Sequence, residues 1–324
     1  MGNIKMIDYI KATKHLQDKD TPFFGHCTLE ARYSSGWERY RLQGCERLNV
    51  WHNSSTASLK LEGSIMYYWQ GHNFTYNKRD FVSAIRHIET ILQVGLWDAM
   101  IGAFEYGAIM EVQSKPKDYI THHTAAPKEG LVMSYKPKDK GSFRWYEDNT
   151  LKLKMYDAGR NIQHKQGLQR RSIIEESGWN PEGEYLKWEA HYLKPEILNH
   201  GLGVRLADLV NPNWENVFKE DLYLQYKRLV PMRSIIIPTN KKELSTADIF
   251  AIQLVEDCIN EGKTIQEVRK MIYARINSIS DDILSKADKD SRKRQVKALL
   301  EKIKEEPESK WDLSAQLEKA LLVE

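Results

Sequence analysis

Three segments of the chain alternate apolar and polar residues with the period of two that is typical of a β-strand, in which successive side chains point to opposite faces. The segments are residues 102–112, 151–157 and 185–193. If these strands are neighbours in one sheet, their apolar residues form a core face and their polar residues share the other face. The polar positions are Glu105, Glu111, Lys152, Lys154, Tyr156, Lys187, Glu189 and His191. The pattern therefore predicts a sheet surface of acids, lysines, a tyrosine and an imidazole, which is suited to phosphate chemistry.

The remaining pattern before residue 235 predicts an α+β fold. Residues 22–75 form short apolar segments broken by turn residues, as expected for strands, and residues 79–94 change to helical spacing. Strands, one helix and then more strands favour a mostly antiparallel sheet with helices packed on one face. The pattern does not contain the crossover helices that a parallel sheet requires.

The last part of the chain has a helical pattern. Ser245 begins a segment in the manner of a helix cap, and Thr264 forms a capping box with Glu267. A proline-containing turn near residue 235 is typical of a domain boundary. We therefore predict an α+β domain of residues 1–235 and a helical C-terminal domain of residues 236–324.

Composition and charge narrow the class of protein. The 324 residues are 41% hydrophobic and 29% charged, which is ordinary for a soluble globular chain. A net charge of +3 permits a nucleic-acid partner without requiring one. Three cysteines are too few and too scattered for a disulfide framework or a zinc knuckle. No apolar run approaches the roughly 18 residues of a membrane span, so we expect a cytoplasmic protein without a membrane partner.

The hydrophilic face offers a candidate metal site. A carboxylate and an imidazole two positions apart on one strand face can share a divalent metal ion. Glu189 and His191 have this spacing. A polar sheet face without a metal explains the same two residues and stays open as the alternative.

Six segments of the sequence, taken in order, resemble the phage and plasmid replication-initiation proteins of the gene II/X type. They are residues 59–65, 70–75, 104–107, 152–159, 186–191 and 206–211. The same succession is similar to the Rep-trans family of rolling-circle plasmid initiators. The resemblance implies a sheet-based nicking domain, related to the HUH endonuclease fold, that cuts one DNA strand at an origin by a metal-dependent tyrosine attack.

The resemblance also implies a ligand set for Mg²⁺ or Mn²⁺. The acidic strand of the family corresponds to Glu105, and its second strand corresponds to residues 187–191, which contribute Glu189 and His191. Glu105 stands in place of an aspartate and His191 in place of a carboxylate, and imidazole favours the softer Mn²⁺. The Tyr-Asp-Lys-Gly element of the family is Tyr-Asp-Ala-Gly at residues 156–159. The sequence contains no His-x-His pair, so the standard HUH metal site is excluded.

The tyrosine that attacks is expected after the metal strand, on a helix that faces the sheet. Tyr223 and Tyr226 meet this expectation, because residues three apart share one side of a helix. Tyr156, beside Glu189 on the hydrophilic face, is the other candidate for nucleophile or phosphate ligand. The alternative for the helix tyrosines is ordinary packing. The basic residues expected to contact DNA are Lys152, Lys154, Lys187, Lys227 and Arg228.

Two hypotheses for function follow. The first is a rolling-circle replication initiator, an enzyme that nicks one strand at an origin and forms a 5′-phosphotyrosine. Its expected partners are single-stranded or origin DNA, a host helicase and polymerase, and a second copy in a homodimer. The second is a DNA-binding replication-accessory protein that keeps the fold without catalysis. The absent lysine after Asp157 and the absent His-x-His pair favour the second hypothesis.

Overall fold

The computed structural model of the chain describes ten stretches of residues. They are residues 4–43, 47–126, 129–135, 141–166, 170–176, 178–231, 235–236, 245–261, 263–305 and 309–322. The chain divides into two compact units. The first unit comprises Met1–Thr121, Val132–Lys227 and Ser314–Glu324, and the second comprises His122–Leu131 and Arg228–Leu313. This division differs from a single boundary at residue 235, because the last helix of the chain belongs to the first unit.

A ten-stranded sheet forms the centre of the first unit. Its strands in spatial order are β2 Cys27–Arg32, β3 Glu38–Leu42, β4 Leu48–Asn53, β5 Ser58–Ser64, β1 Ile4–His15, β6 Met100–Val112, β11 Glu184–Tyr192, β10 Leu151–Asp157, β9 Phe143–Glu147 and β8 Val132–Tyr135. Each of these strands is antiparallel to its neighbours. The predicted antiparallel sheet and α+β class are therefore confirmed. The three strands predicted to share a hydrophilic face, β6, β11 and β10, lie side by side.

The first unit also contains seven α-helices in its described residues. They are α1 Ile65–Gln70, α2 Lys78–Leu92, α3 Pro116–Thr121, α4 Ala158–Gln166, α5 Arg170–Glu176, α6 Pro212–Tyr226 and α10 Ser314–Leu321. Short 3-10 helices span Pro195–Asn199 and Leu206–Val210. The helix predicted at residues 79–94 is α2, which begins after Asn77, whose side chain accepts a hydrogen bond from the Arg79 amide. Asn77 satisfies an amide that the helix itself cannot pair.

Helix α6 covers the apolar face of the central strands. The Trp188 indole donates to the Leu222 carbonyl at 3.2 Å, and the Tyr192 hydroxyl donates to the Asp221 carboxylate at 2.6 Å. The Trp188 and Tyr192 side chains are fully buried. Aromatic residues bury large apolar areas, so this contact is a major part of the core.

The other face of the same strands is partly covered as well, which differs from the prediction of helices on one face. Ile109 of β6 and Tyr185 of β11 pack there against Ile162 of α4 and Ile174 of α5. Lys187 and Glu189, which are hydrophilic residues of the same face, are buried as well. The polar residues therefore lie at the edge of a second, smaller core.

The second unit contains two short strand pairs and three helices in its described residues. Strand β7 His123–Ala125 pairs with β12 Leu229–Pro231, and β13 Ile235–Ile236 pairs with β14 Lys304–Glu305. The helices are α7 Thr246–Asn260, α8 Ile265–Asn277 and α9 Lys286–Lys302. The predicted caps are confirmed, because Ser245 with Asp248 and Thr264 with Glu267 form capping boxes. Within the described parts of both units, no helix has the length and apolar character to cross a membrane.

Candidate functional site

A β-bulge in the first strand brings two consecutive side chains to the hydrophilic face. Along the β1–β6 pair, Ile7 lies opposite Tyr106 and Ile10 lies opposite Phe104. Two residues of β1, Asp8 and Tyr9, therefore stand against the single residue between those partners. A bulge of this kind redirects a side chain that regular alternation would send to the other face.

Asp8 of β1, Glu105 of β6 and Glu189 of β11 form an acidic triad on this face. One carboxylate oxygen of each residue lies within 4.8 Å of those of the other two. Gly107 allows Glu189 to lie this close to the other two acids, because Gly107 pairs with Glu189 in the sheet and has no side chain. A Cβ at position 107 would lie 2.6 Å from the Cβ of Glu189 and 2.9 Å from the Trp188 carbonyl oxygen. Any larger residue at position 107 would therefore push Glu189 away from the triad.

Two lysines bridge the three acids. Lys187 Nζ lies 2.9 Å from Asp8 Oδ2 and 2.7 Å from Glu189 Oε2. Lys154 Nζ lies 3.1 Å from Glu189 Oε1 and pairs with Glu105 Oε1. Each ammonium group thus joins two carboxylates, and three acids with two lysines form one connected network.

The network keeps Glu189 and both lysines charged. Burial alone would raise the pKa of Glu189, but the ammonium groups of Lys187 and Lys154 outweigh burial and lower this pKa to about 2. Burial opposes the charge of Lys154, yet Glu189 and Glu105 raise its pKa to about 12. Asp8 and Glu189 likewise hold the pKa of Lys187 well above its usual range against burial. The network thus sets three carboxyl groups against two ammonium groups.

Neutral side chains orient the triad. The Tyr156 hydroxyl donates to Glu189 Oε2 at 3.1 Å, and the Ser64 hydroxyl donates to Asp8 Oδ1 at 3.0 Å. The Asn73 side-chain amide also donates to Asp8. Burial and the charge of Glu189 raise the pKa of Tyr156 well above its usual range, so this hydroxyl stays protonated. These contacts hold the carboxylates in place.

An open cavity of about 360 Å³ adjoins the triad. Its lining residues are Asp8, Tyr9, Arg47, Asn49, Glu62, Gly63, Ser64, Tyr67, Asn73 and Glu105. Two triad carboxylates therefore face the cavity. The Arg47 guanidinium lies over the Tyr67 ring at 4.0 Å, which is a cation–π contact. The cavity thus joins acids, a cation and aromatic rings.

The three carboxylates fit a hard divalent ion. Mg²⁺, Mn²⁺ and Ca²⁺ prefer oxygen ligands at roughly 2.0 to 2.6 Å. Oxygens bound to one such ion lie no more than about 5 Å apart, and the triad oxygens satisfy this spacing. The Lys154 ammonium lies between Glu105 and Glu189, and its side chain is 17% exposed. Lys154 therefore has a route to solvent when an ion is bound.

The predicted ligand set is only partly reproduced. Glu105 and Glu189 converge as predicted. His191 contacts Glu105 through Nδ1 at 2.7 Å and stacks on Tyr9, whereas Asp8 takes the third position of the acidic group. Sequence reasoning missed Asp8, because the pairing of β1 with β6 joins segments about 100 residues apart in the chain. The only indication of Asp8 in the sequence was that it is a single acidic residue within an otherwise apolar segment.

Tyr223 and Tyr226 lie on a helix that faces the sheet, as predicted, but this helix packs on the apolar face and not beside the acids. Tyr226 of α6 is buried, and its ring meets Trp188 edge to face at 5.8 Å. Trp188 and Glu189 are consecutive strand residues, so they point to opposite faces of the sheet. Tyr223 is on the same helix, and the Lys227 ammonium lies over its ring at 4.8 Å. Both tyrosines belong to the helix on the apolar face.

The basic residues expected to contact DNA occupy different environments. The expectation is wrong for Lys187, whose side chain is 2% exposed and held by two carboxylates. Lys154 faces the triad, and Lys152 pairs with Glu147 at 2.6 Å. Lys227 donates to the Ser314 hydroxyl at 2.8 Å, and Arg228 pairs with Glu129 at 3.1 Å. A role for these four in DNA binding stays a prediction.

Comparison with protein-family models, with curated proteins and with solved structures found no match to this chain. Its function is therefore inferred from the geometry of its own residues.

Acid is expected to destabilise the protein through Glu189. The folded pKa of Glu189 is about 2, below its usual value of 4.5. The contribution of Glu189 to the free energy of unfolding is therefore complete above pH 4.5 and is lost as the pH falls through 2. This group alone should remove on the order of 3 kcal/mol from the free energy of unfolding. Urea unfolding at a series of pH values measures the loss. A Glu189→Gln variant should lack this part of the pH dependence, and an unchanged slope in that variant would contradict the assignment.

Proposed function

We propose that this protein is a metal-dependent DNA-nicking enzyme of the replication-initiator class that its sequence resembles. One observation carries the proposal: acids from three separate strands converge beside an open cavity that also presents an arginine. Phosphodiester chemistry needs a site for a cation and a group that holds the phosphate. Asp8, Glu105 and Glu189 would hold the cation, and Arg47 is placed to contact the phosphate.

The bound ion would polarise a phosphate oxygen and offset the charge that develops in the transition state. The surrounding residues perform the other tasks. Lys187 and Tyr156 position Glu189, while Ser64 and Asn73 position Asp8. Arg47 offers a forked set of donors, which suits the oxygens of a phosphodiester. Mn²⁺ and Mg²⁺ are the proposed ions, since the donors are carboxylates.

We also propose that the sheet is related to the HUH endonuclease fold. The antiparallel sheet with a charged face supports this relation. The metal site would differ from the standard one, because carboxylates replace a His-x-His pair. The tyrosines of α6 are placed against the apolar face, so the attacking group must come from another element.

A non-catalytic DNA-binding role is the second candidate. The bridging lysines favour it, since Lys154 and Lys187 already neutralise two of the three acids. A network of this kind can hold four strands together without any ion. The two candidates differ in whether the protein cleaves DNA in the presence of Mn²⁺.

A nicking assay tests the proposed function. The protein is incubated with labelled single-stranded DNA of random sequence and Mn²⁺, and the products are separated on a denaturing gel. Cleavage that requires Mn²⁺ is expected. Glu105→Gln should lower the cleavage rate about a hundredfold or more, because one ligand of the ion is lost. Glu147→Gln is the matched control, since Glu147 pairs with Lys152 away from the triad.

Metal binding is measured separately by calorimetry with Mn²⁺ alone. Binding in the wild type, weakened in Glu105→Gln and retained in Glu147→Gln, would support the metal site. Binding without cleavage of any DNA would favour the non-catalytic candidate. Absence of both binding and cleavage would overturn the nicking proposal.

A further inference from the structure

We propose that Tyr9 is the nucleophile of this site, with Glu62 accepting its proton and Arg47 holding the DNA phosphate. The inference rests on the nicking activity proposed above and assigns its reacting groups. It replaces the tyrosines of α6, which lie against the opposite face of the sheet.

The position of Tyr9 follows from the bulge in β1. Tyr9 is the neighbour of Asp8 in sequence, and both residues line the cavity beside the triad. Its ring stacks on the His191 imidazole with centroids 5.2 Å apart, and His191 in turn contacts Glu105. The ring is therefore held next to the carboxylates that would bind the ion. Tyr156 is on the same face, but it is buried and is not among the residues that line the cavity.

Glu62 is placed to accept the proton of Tyr9. The Tyr9 hydroxyl donates to Glu62 Oε1 at 3.0 Å, which is within the reach required of a general base. The other carboxylate oxygen of Glu62 lies 3.4 Å from Lys60 Nζ. This second contact leaves Oε1 directed at Tyr9. Glu62 also lines the cavity, so the proton acceptor, the nucleophile and the open space adjoin one another.

Arg47 supplies the positive charge that a phosphate needs in an otherwise acidic cavity. Asp8, Glu62 and Glu105 would repel a phosphodiester in the absence of a cation. The Arg47 guanidinium lies 4.0 Å from the centre of the Tyr67 ring, in a cation–π contact that holds it. Arg47 is exposed, so its donors can reach a strand of DNA that enters the cavity.

The reaction assigned to these residues is a phosphoryl transfer. The Tyr9 oxygen forms a bond to phosphorus as its proton passes to Glu62, and the bond from phosphorus to the 3′ oxygen breaks. The 3′ oxygen takes up a proton from water and leaves as a hydroxyl, and Glu62 returns the proton of Tyr9 to water. The 5′ phosphate remains attached to Tyr9. No oxidation or reduction occurs, and no further reactant is consumed.

The test maps the covalent product. Wild-type protein is incubated with Mn²⁺ and the random-sequence single-stranded DNA, the adduct is isolated under denaturing conditions, and the modified peptide is identified by mass spectrometry. The modified peptide is expected to contain Tyr9. Tyr9→Phe should lose the adduct while still binding Mn²⁺, and Glu62→Gln should slow its formation about a hundredfold. Tyr40→Phe is the matched control, because Tyr40 also donates to a carboxylate, Glu38, elsewhere in the sheet.

The outcomes separate this inference from the proposed function. An adduct on a different tyrosine, or Mn²⁺-dependent cleavage without any adduct, would overturn Tyr9 as the nucleophile and leave the nicking activity in place. Absence of both cleavage and adduct would overturn the two together. Peptide mapping on the wild type decides the question even where the Tyr9→Phe protein does not fold.

Discussion

Replacing Lys187 by methionine is expected to lower the free energy of unfolding by about 3 to 5 kcal/mol. Lys187 is buried between Asp8 and Glu189. Methionine fills a similar volume but leaves two buried carboxylates without this partner. Breaking one side of a buried ion pair is costly, since the remaining charge has lost its compensation. Urea unfolding monitored by circular dichroism measures the change.

Lys152→Met is the matched control for this prediction. Lys152 also pairs with a glutamate, Glu147, but about a third of each side chain is exposed. Water screens such a pair, so its loss should cost less than about 1 kcal/mol. Equal losses in the two variants would contradict the view that the buried network holds the central strands together. A double variant, Lys187→Met with Glu189→Gln, should lose less than the sum of the two single changes.

Replacing Tyr226 by alanine is expected to cost about 3 to 5 kcal/mol, because a large aromatic side chain leaves a packed core. Tyr226 is 1% exposed and its ring meets Trp188 at 5.8 Å. The effect should appear as a lower midpoint in urea unfolding. Tyr226→Phe should retain the DNA adduct, since the hydroxyl lies on the face away from the triad.

Tyr223→Ala on the same helix is the comparison for Tyr226. Tyr223 is partly exposed, and its ring lies beneath the Lys227 ammonium. Its loss should cost about 1 kcal/mol or less. If Tyr226→Phe abolished the adduct in a folded protein, the helix would have to reach the site, and the assignment of α6 to the apolar face would be wrong.

Local pattern was enough to locate much of the site. The alternation in β6, β10 and β11 correctly placed Glu105, Lys154 and Glu189 on one face, because the direction of a strand side chain depends on its neighbours in sequence. Pairing of those strands then brought the three residues together. The caps at Ser245 and Thr264 were also predictable, since a capping box needs only residues three apart.

Other features depended on contacts between distant parts of the chain. Asp8 joins Glu105 and Glu189 only because β1 pairs with β6. The isolated sequence of β1 has no regular period across the bulge, so it contains no signal for the direction of Tyr9. The pairing of Lys187 with Asp8 joins residues 179 positions apart.

The sequence by itself determined the α+β class, the polar face of three strands and the helical character of the C-terminal region. Each of these depends on the spacing of apolar and polar residues that are close in the sequence. Only the tertiary structure decided which carboxylates meet, which lysines neutralise them and which side of the sheet receives α6. Those outcomes follow from strand register and from the packing of a helix against one of two available faces. Strand register and helix packing, which depend on contacts between distant parts of the chain, therefore determine which side chains are neighbours in space.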